Sequence, residues 1–161
     1  MADTKTLGIA LGMGVVSGMR SLSALAILSH GLSDKSFGKP VGRAASLLRS
    51  AHVSRLLTAL AASEMAADKL PFLPDRTDVA PLLGRATLGA VAGITVADIT
   101  GSPRWPAAVL ASLGAIASTI AFHRIRKEAG ERTAIPDGVL AVVEDGLVLL
   151  LGSRLSKMLV E

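Results

Sequence analysis

Five long apolar stretches alternate with polar connectors along the chain. The first contains about 23 residues, and as an α-helix it would reach ~34 Å, enough to cross the hydrocarbon core of a bilayer. Another stretch, residues 107–122, has no charged residue, whereas a helix on the surface of a soluble protein needs a polar face. The pattern predicts an all-α integral membrane protein, a single transmembrane domain over 1–161, with helices at about 7–29, 54–70, 82–100, 107–123 and 138–156.

The connectors support these boundaries. The stretch 71–81 contains three prolines and is predicted to be a loop, because proline lacks a backbone donor and ends helices. The sequence GSPRWP at 101–106 predicts a tight turn, with Trp105 as an anchor at a membrane interface. Within the long connector 30–52, residues 41–48 could make a short interfacial helix.

Two other interpretations of the apolar stretches remain open. The first stretch could be a secretory signal, because Lys5 precedes it and residues 24–26 imitate a cleavage site, but Arg20 in its middle argues against this. The five helices could also form a soluble bundle around an Ala/Leu core. The scarcity of aromatic residues, one Trp, three Phe and no Tyr, counts against a membrane protein. We give more weight to the lengths of the apolar runs.

Composition narrows the classes of function. Hydrophobic residues make up 50% of the chain and charged residues 19%, and the net charge is +4. The basic residues are scattered rather than gathered in a stripe, so we expect anionic lipid head groups as partners and no nucleic acid. The absence of cysteine excludes disulfides and thiol catalysis. No metal-spaced histidine cluster, catalytic triad or phosphate loop is present, so we expect neither an enzyme nor a cofactor nor a bound metal.

A weak internal repeat suggests two related halves. Residues 60–64, LAASE, and residues 140–144, LAVVE, each place a glutamate after the same Leu-Ala start. If the first two helices form one hairpin and the last two another, the central helix inverts the second hairpin, as in many transport folds. Lys and Arg then divide equally between the two sides, and the positive-inside rule assigns no orientation. Either one stretch is miscounted or re-entrant, which we favour slightly, or the even balance accompanies inverted halves.

Ionisable residues inside the predicted helices are candidates for a polar centre between the halves. Each costs roughly 2.5–3.5 kcal/mol to insert, so such groups usually face the protein interior. Arg20 lies too deep to reach an interface, and we expect it to contact Glu64, Asp68, Glu144 or Asp145. The alternative to a functional centre is that these charges pair only to fix helix register. The candidate set is Arg20, Glu64, Asp68, Lys69, Glu144 and Asp145.

Glycines spaced four apart predict close helix packing. In lipid, small residues let helix backbones approach each other, within one chain or between copies. We therefore expect a homo-oligomer, a dimer or larger, with one of these glycine faces as the contact. The pairs are Gly8/Gly12 and Gly14/Gly18 on the first helix and Gly89/Gly93 on the third.

Several motifs resemble a bacterial membrane-protein family, domain of unknown function 4126. They are residues 17–20 (SGMR), residues 64–71 (EMAADKLP) and the closing Glu144-Asp145. The resemblance covers most of the chain and implies a multi-pass protein of the bacterial inner membrane, but no activity. The connector 135–137 (IPD) departs from the family, which tends to have Pro followed by Asn and Ser there. Further positions matched to the family are Asp75 or Asp78, Pro81, Gly84 and His123.

From these observations we expect a small transporter or channel subunit for an ion or small solute, with the polar centre between its halves. The alternative is a structural or assembly partner of other membrane proteins. A water-accessible cavity reaching Glu64 and Glu144 would favour transport, whereas a dry and fully paired cluster would favour the structural role.

Overall fold

The computed structural model describes residues 3–34, 37, 42–67, 78–132 and 137–160. All regular structure within these ranges is helical, as the sequence predicts, and no strand occurs in them. The helices are α1 (Thr4–Met19), α2 (Ser23–Ser33), α3 (Arg43–Leu48), α4 (Ala51–Ala67), α5 (Val79–Thr100), α6 (Arg104–Arg132) and α7 (Asp137–Met158).

The prediction of one helix over 7–29 is wrong, because the chain leaves the helix at Arg20. The backbone of Arg20 is extended, with φ −141° and ψ 112°, and α2 begins three residues later. No proline causes this interruption. The freed backbone groups are instead bonded by side chains from α4, α5 and α6, so tertiary contacts favour the interruption where the local sequence would continue the helix.

The interruption is a reversal of direction. Gly152 of α7 lies against both Val16 of α1 and Ile27 of α2, while Asp145, two turns earlier in α7, is bonded to Arg20. From residue 145 to residue 152, α7 therefore runs parallel to α2 and antiparallel to α1. The two helices form a hairpin, and we call residues 20–22 the hairpin tip.

Both arms of the hairpin lead to the same end of the bundle, which we call the proximal end. There the hydroxyl oxygens of Thr6 and Ser102 are 3.4 Å apart, which places the start of α1 beside the α5–α6 turn. Near the end of α2, Ser29 Oγ donates a hydrogen bond of 2.6 Å to the carbonyl of Leu48 in α3. From this end α4 and α6 run towards the opposite, distal end, and α5 and α7 run back.

The centre of the bundle is α1 packed with α5 and α6 through small residues. A Cβ added to Gly14 or Gly18 of α1 would collide with the backbone of α6, and so would one added to Gly93 of α5. Buried alanines, including Ala111, face these glycines. Such contact between backbones is typical of helices that associate in lipid, where packing replaces the hydrophobic effect.

On α7, several apolar residues are exposed while a charged residue is buried. Val142, Val143 and Leu150 of α7 are each more than half exposed, whereas Glu144 of the same helix is only 3% exposed. Residues Val79–Thr100 and Arg104–Gly130 are long and apolar enough to cross a membrane, by length and composition.

Candidate polar centre at the hairpin tip

The start of α2 is bonded to a carboxylate from another helix. The backbone N–H of Ser21 donates to Oε1 of Glu64 at 2.8 Å, and that of Leu22 donates to Oε2 at 3.1 Å. The first N–H groups of a helix have no partner within it and carry the positive end of the helix dipole. Glu64 of α4 therefore supplies two acceptors and a compensating negative charge at this point.

The end of α1 is bonded to a cation. Arg85 of α5 donates from Nη1 to the carbonyl of Gly18 at 2.5 Å and lies 3.4 Å from that of Met19. The hydroxyl of Thr119 on α6 donates to the same Gly18 carbonyl at 3.0 Å. The last carbonyls of a helix carry its negative end, so the guanidinium of Arg85 is both a donor and a favourable charge there.

Arg20 at the tip forms the ion pair that the sequence predicts for it. Its Nε donates to Oδ1 of Asp145 on α7 at 2.7 Å. The Arg20 side chain is 0% exposed and that of Asp145 is 16% exposed. The expectation that Arg20 contacts at least one of the four named carboxylates is confirmed by its bond to Asp145.

A second ion pair lies close to the first. Arg126 of α6 donates from Nη1 to Oε2 of Glu144 at 3.1 Å, and both side chains are largely buried. Arg85 interacts electrostatically with Glu64, Glu144 and Arg20, and Glu144 interacts with both ion-pair partners Arg20 and Arg126. Within the part of the chain that the structure describes, three cations and three anions therefore form one largely buried network at the tip. The network is Arg20, Arg85, Arg126, Glu64, Glu144 and Asp145.

Four of the six predicted residues of the polar centre meet in this network: Arg20, Glu64, Glu144 and Asp145. Asp68 and Lys69 lie outside the described residues. The sequence analysis did not include Arg85 and Arg126 among the candidates for the polar centre. The available signal was weak. Arg85 falls two turns inside an apolar helix, and Arg126 is one of several basic residues in a row.

The family model for Domain of unknown function (DUF4126) matches residues 7–153. The chain belongs to this family. No curated protein and no solved structure matches it. In this DUF4126 chain, the motifs on which the resemblance rests supply the network: the first contains Arg20, the second begins with Glu64, and the last is Glu144-Asp145.

The predicted packing glycines of the DUF4126 chain differ in their surroundings. Gly14, Gly18, Gly89 and Gly93 all face α6 of the same chain, and Gly12 faces Leu155 of α7. A Cβ on Gly8 would meet nothing within 4 Å. The proposal that the Gly14/Gly18 or Gly89/Gly93 face contacts a second copy is therefore wrong, because these faces are filled within the chain.

A separate charged site lies at the proximal end. Buried Asp98, near the end of α5, accepts from the backbone N–H of Ala44 at 3.0 Å and from Nε of Arg104 at 2.6 Å. A Cβ on Gly42 would collide with the Asp98 carboxylate, so glycine is required at the start of α3. Asp98 thus fastens α3 to the α5–α6 turn. Among the described residues, no group of three or more His, Asp or Glu side chains could hold a metal.

Proposed function

We propose that this protein is a multi-pass integral membrane protein that moves an ion or small solute across the membrane by way of the hairpin tip. The observation that carries the proposal is a charged hairpin tip buried inside a bundle that exposes large apolar side chains on its outer surface. In membrane transporters, helices interrupted at membrane depth use their free backbone groups and nearby charges to bind the transported species. We propose no enzymatic activity and no cofactor.

The depth of the tip supports a half-channel. α1 has 16 residues, or ~24 Å, against a hydrocarbon core of ~30 Å. Its last carbonyls are bonded at the level of Thr119, and α6 continues for about 13 residues, or ~20 Å, beyond that level to Arg132. Helices α5, α6 and α7 thus extend past the tip on the distal side, where Arg85, Arg126 and Glu144 lie. We propose that water enters from the distal side as far as the tip.

The hairpin changes the proposed topology. α1 and α2 enter and leave at the proximal end, so the first apolar stretch is re-entrant, the interpretation favoured by the even distribution of basic residues. We propose that α4, α5, α6 and α7 cross the membrane. An inverted relation is then proposed between α4 and α7 alone, which run in opposite directions and carry Glu64 and Glu144. α6 does not correspond to the α1–α2 hairpin, because it is one continuous helix.

The hairpin also supports an orientation. Because α1 now begins at the same end as α7 finishes, Lys5 joins the basic residues of the proximal end. Among the described residues, fewer exposed basic residues lie at the distal end than at the proximal end, because Arg85 and Arg126 are bonded within the network. By the positive-inside rule, we propose that the proximal end faces the cytoplasm across a bacterial inner membrane. The described proximal residues are Lys5, Arg43, Arg49, Arg55, Arg104, Arg154 and Lys157, against distal Arg124, Lys127 and Arg132.

Water access to the tip is the direct test, and the lack of native cysteine makes it simple. A Ser21→Cys variant, reconstituted in liposomes, should react with a membrane-impermeant thiol reagent applied to the distal side. A Leu28→Cys variant is the matched control, since Leu28 is buried within the hairpin arm and should not react. An unreactive Ser21→Cys, in protein shown to be folded, would remove the half-channel.

Transport itself is tested by charge movement. In proteoliposomes on a solid-supported membrane, jumps in Na⁺, K⁺, H⁺ or chloride concentration should give a current for at least one ion. The current should be lost in Asp145→Asn and kept in Asp34→Asn, because Asp34 is exposed and pairs only locally with His30.

One observation favours the alternative, a non-transporting assembly partner. Glu64, Glu144 and Asp145 are each already bonded to a group of the same chain, as a purely structural cluster would be. A tip that is closed to water from both sides, together with the absence of any ion current, would support that function instead. Homo-oligomerisation also remains a proposal, with its contact outside the two filled faces, Gly14/Gly18 and Gly89/Gly93.

A further inference from the structure

The proximal end carries two arginines above one buried carboxylate. Asp98 accepts a hydrogen bond from Nε of Arg104 through Oδ1, and one from the backbone N–H of Ala44 through Oδ2. The Arg104 side chain is 55% exposed, whereas that of Asp98 is 2% exposed. Arg43, which precedes Ala44 at the start of α3, is also exposed. Asp98 thus fixes Arg104 directly and Arg43 through its neighbour, while both arginine side chains reach the surface.

A third cation joins them from α1. Lys5 is exposed, and it precedes Thr6, whose hydroxyl oxygen lies 3.4 Å from that of Ser102 in the α5–α6 turn. Arg104 begins α6 immediately after this turn. The acidic residue nearest to Lys5 in the sequence is Asp3, which lies at the N-terminal end of α1, where a negative charge compensates the helix dipole. We call Lys5, Arg43 and Arg104 the proximal cations.

An apolar stripe on α6 begins beside the proximal cations. Trp105, Val109 and Leu113 are 78%, 38% and 55% exposed, and residues four apart lie on one face of a helix. From Trp105 to Leu113 the helix rises ~12 Å, against ~15 Å for the hydrocarbon of one leaflet. Tryptophan is enriched at the level of the lipid head groups. The stripe therefore has the length and the polarity that one leaflet requires, with the aromatic ring at the head groups and aliphatic side chains below it.

The stripe borders α1 along a seam with open space. A Cβ added to Gly114 of α6 would lie 2.8 Å from the carbonyl oxygen of Leu11, so Leu11, which is 42% exposed, lies next to the turn of α6 that carries Leu113. One turn closer to the proximal end, a Cβ added to Gly8 would meet nothing within 4 Å. The seam between α1 and α6 is therefore lined by apolar residues, open at Gly8, and bounded at its proximal end by the cations.

We propose that this seam binds an anionic phospholipid, whose phosphate lies at the proximal cations and whose acyl chain lies along the Trp105–Leu113 stripe. The inference rests on the membrane location in the proposed function, and it is independent of transport. An arginine offers phosphate several donors in a planar fork, and a lysine adds a flexible point charge. Basic pockets between membrane helices bind anionic lipid head groups, and here the apolar stripe supplies the place for the chain.

A second copy of this chain fits the seam less well. Copies of one membrane protein share their orientation, so a symmetric contact along the seam would bring the proximal cations of both copies to the same end. Like charges would then face each other at the head-group level, where an anionic lipid is attracted. The charge at the end of the seam thus favours a lipid over a protein as its occupant.

The single tryptophan of the chain lies in the proposed site, so its fluorescence is the measurement. The whole protein is reconstituted in phosphatidylcholine vesicles in which brominated phosphatidylglycerol or brominated phosphatidylcholine replaces a varied fraction of the lipid. Bromine quenches tryptophan on contact, and the dependence on mole fraction gives the relative association constant of the anionic lipid at Trp105. We expect that constant to exceed unity at low salt and to fall towards unity at high salt, because salt screens exposed charges.

Variants assign the preference to the proximal cations. Lys5→Gln and Arg43→Gln should each lower the relative association constant by up to about fivefold, the factor equivalent to ~1 kcal/mol per cation beside an anionic surface. Arg104 is kept, because it is bonded to Asp98 and its loss would also disturb the fold. Arg124→Gln, at an exposed arginine nearer the distal end of the same helix, is the matched control and should keep the parent value.

Three results would overturn the inference. Equal quenching by the two brominated lipids would show that Trp105 lies at the membrane without selection for charge. No quenching by either lipid would show that something else, such as a second copy, covers the stripe. These two results need no variant to fold. The third is a lipid preference that is unchanged in the Lys5→Gln/Arg43→Gln double variant.

Failure of the proposed function is distinguishable from failure of the lipid site. Absence of any ion current, with the lipid preference intact, rules out transport and keeps the lipid site. Release of the protein by alkaline carbonate rules out the membrane location, and the lipid site with it. Protein that is retained in the membrane and quenched equally by both lipids rules out the lipid site alone.

Discussion

Replacing Arg20 with leucine should destabilise the protein more than replacing Arg20 and its partner together. The Arg20 side chain is fully buried, and its Nε lies 2.7 Å from Oδ1 of Asp145. Removing one member of a buried ion pair costs about 3–5 kcal/mol, chiefly because the other charge is left without compensation. Asp145 is 16% exposed, so water solvates part of its carboxylate and we expect the lower part of this range, about 3 kcal/mol.

The double variant Arg20→Leu/Asp145→Leu removes both charges and should recover at least about 1 kcal/mol, since contacting charges couple by 0.5–3 kcal/mol in double-mutant cycles. The assay is reversible unfolding in mixed micelles, with free energies of unfolding for the parent, both single variants and the double variant. Arg154→Leu, at an exposed arginine of α7, should change stability by less than about 0.5 kcal/mol and serves as the control. Additive single effects would refute a direct pair and, with it, the polar centre at the tip.

Three further predictions test the environment and packing of the fold. The protein should stay with membranes on washing with high salt or alkaline carbonate, and recovery of folded monodisperse protein without detergent would rule out the membrane proposal. Gly14→Leu should destabilise by at least about 1–3 kcal/mol in the same unfolding assay, because its Cβ would meet the backbone of Ala111, whereas Gly8→Leu should be nearly silent; equal effects would contradict the packing. Mass measurement in detergent should show a dimer or a larger assembly. The Gly8→Leu variant should have the same mass if Gly8 is not at the contact between copies. A monomer at every concentration would rule out the oligomer.

The sequence predicted the uninterrupted helices α5, α6 and α7 better than the α1–α2 hairpin. The stretches 82–100, 107–123 and 138–156 lie within α5, α6 and α7, because a charged or proline-rich connector bounds each apolar run. The first stretch was misjudged because both arms of the hairpin are apolar and no proline or polar segment separates them. Arg20 was the one visible signal, and we took it as a charge within a helix rather than as the point where the helix ends.

The partners of the tip could not be predicted for a related reason. Bonds to backbone groups leave no signature in side-chain patterns. Glu64 was one of four carboxylates expected near Arg20. It is bonded instead to the backbone N–H groups of Ser21 and Leu22, while Asp145 is bonded to the Arg20 side chain. Arg85 is bonded to carbonyls that exist as free acceptors only because the helix stops there. Unless the helix interruption is known, the positions of Glu64 and Arg85 at the tip cannot be predicted from the sequence.

The polarity of the hairpin explains the placement of these two charges. Where two helices of a hairpin meet, the negative end of the first dipole and the positive end of the second lie side by side. Arg85 is bonded at the first and Glu64 at the second, so each charge compensates the backbone end nearest to it. Without these bonds, the free N–H and C=O groups at the tip would be buried without partners, at a cost of about 1–3 kcal/mol each. The same bonds that allow the chain to turn back inside the bundle thus gather charged groups at the hairpin tip.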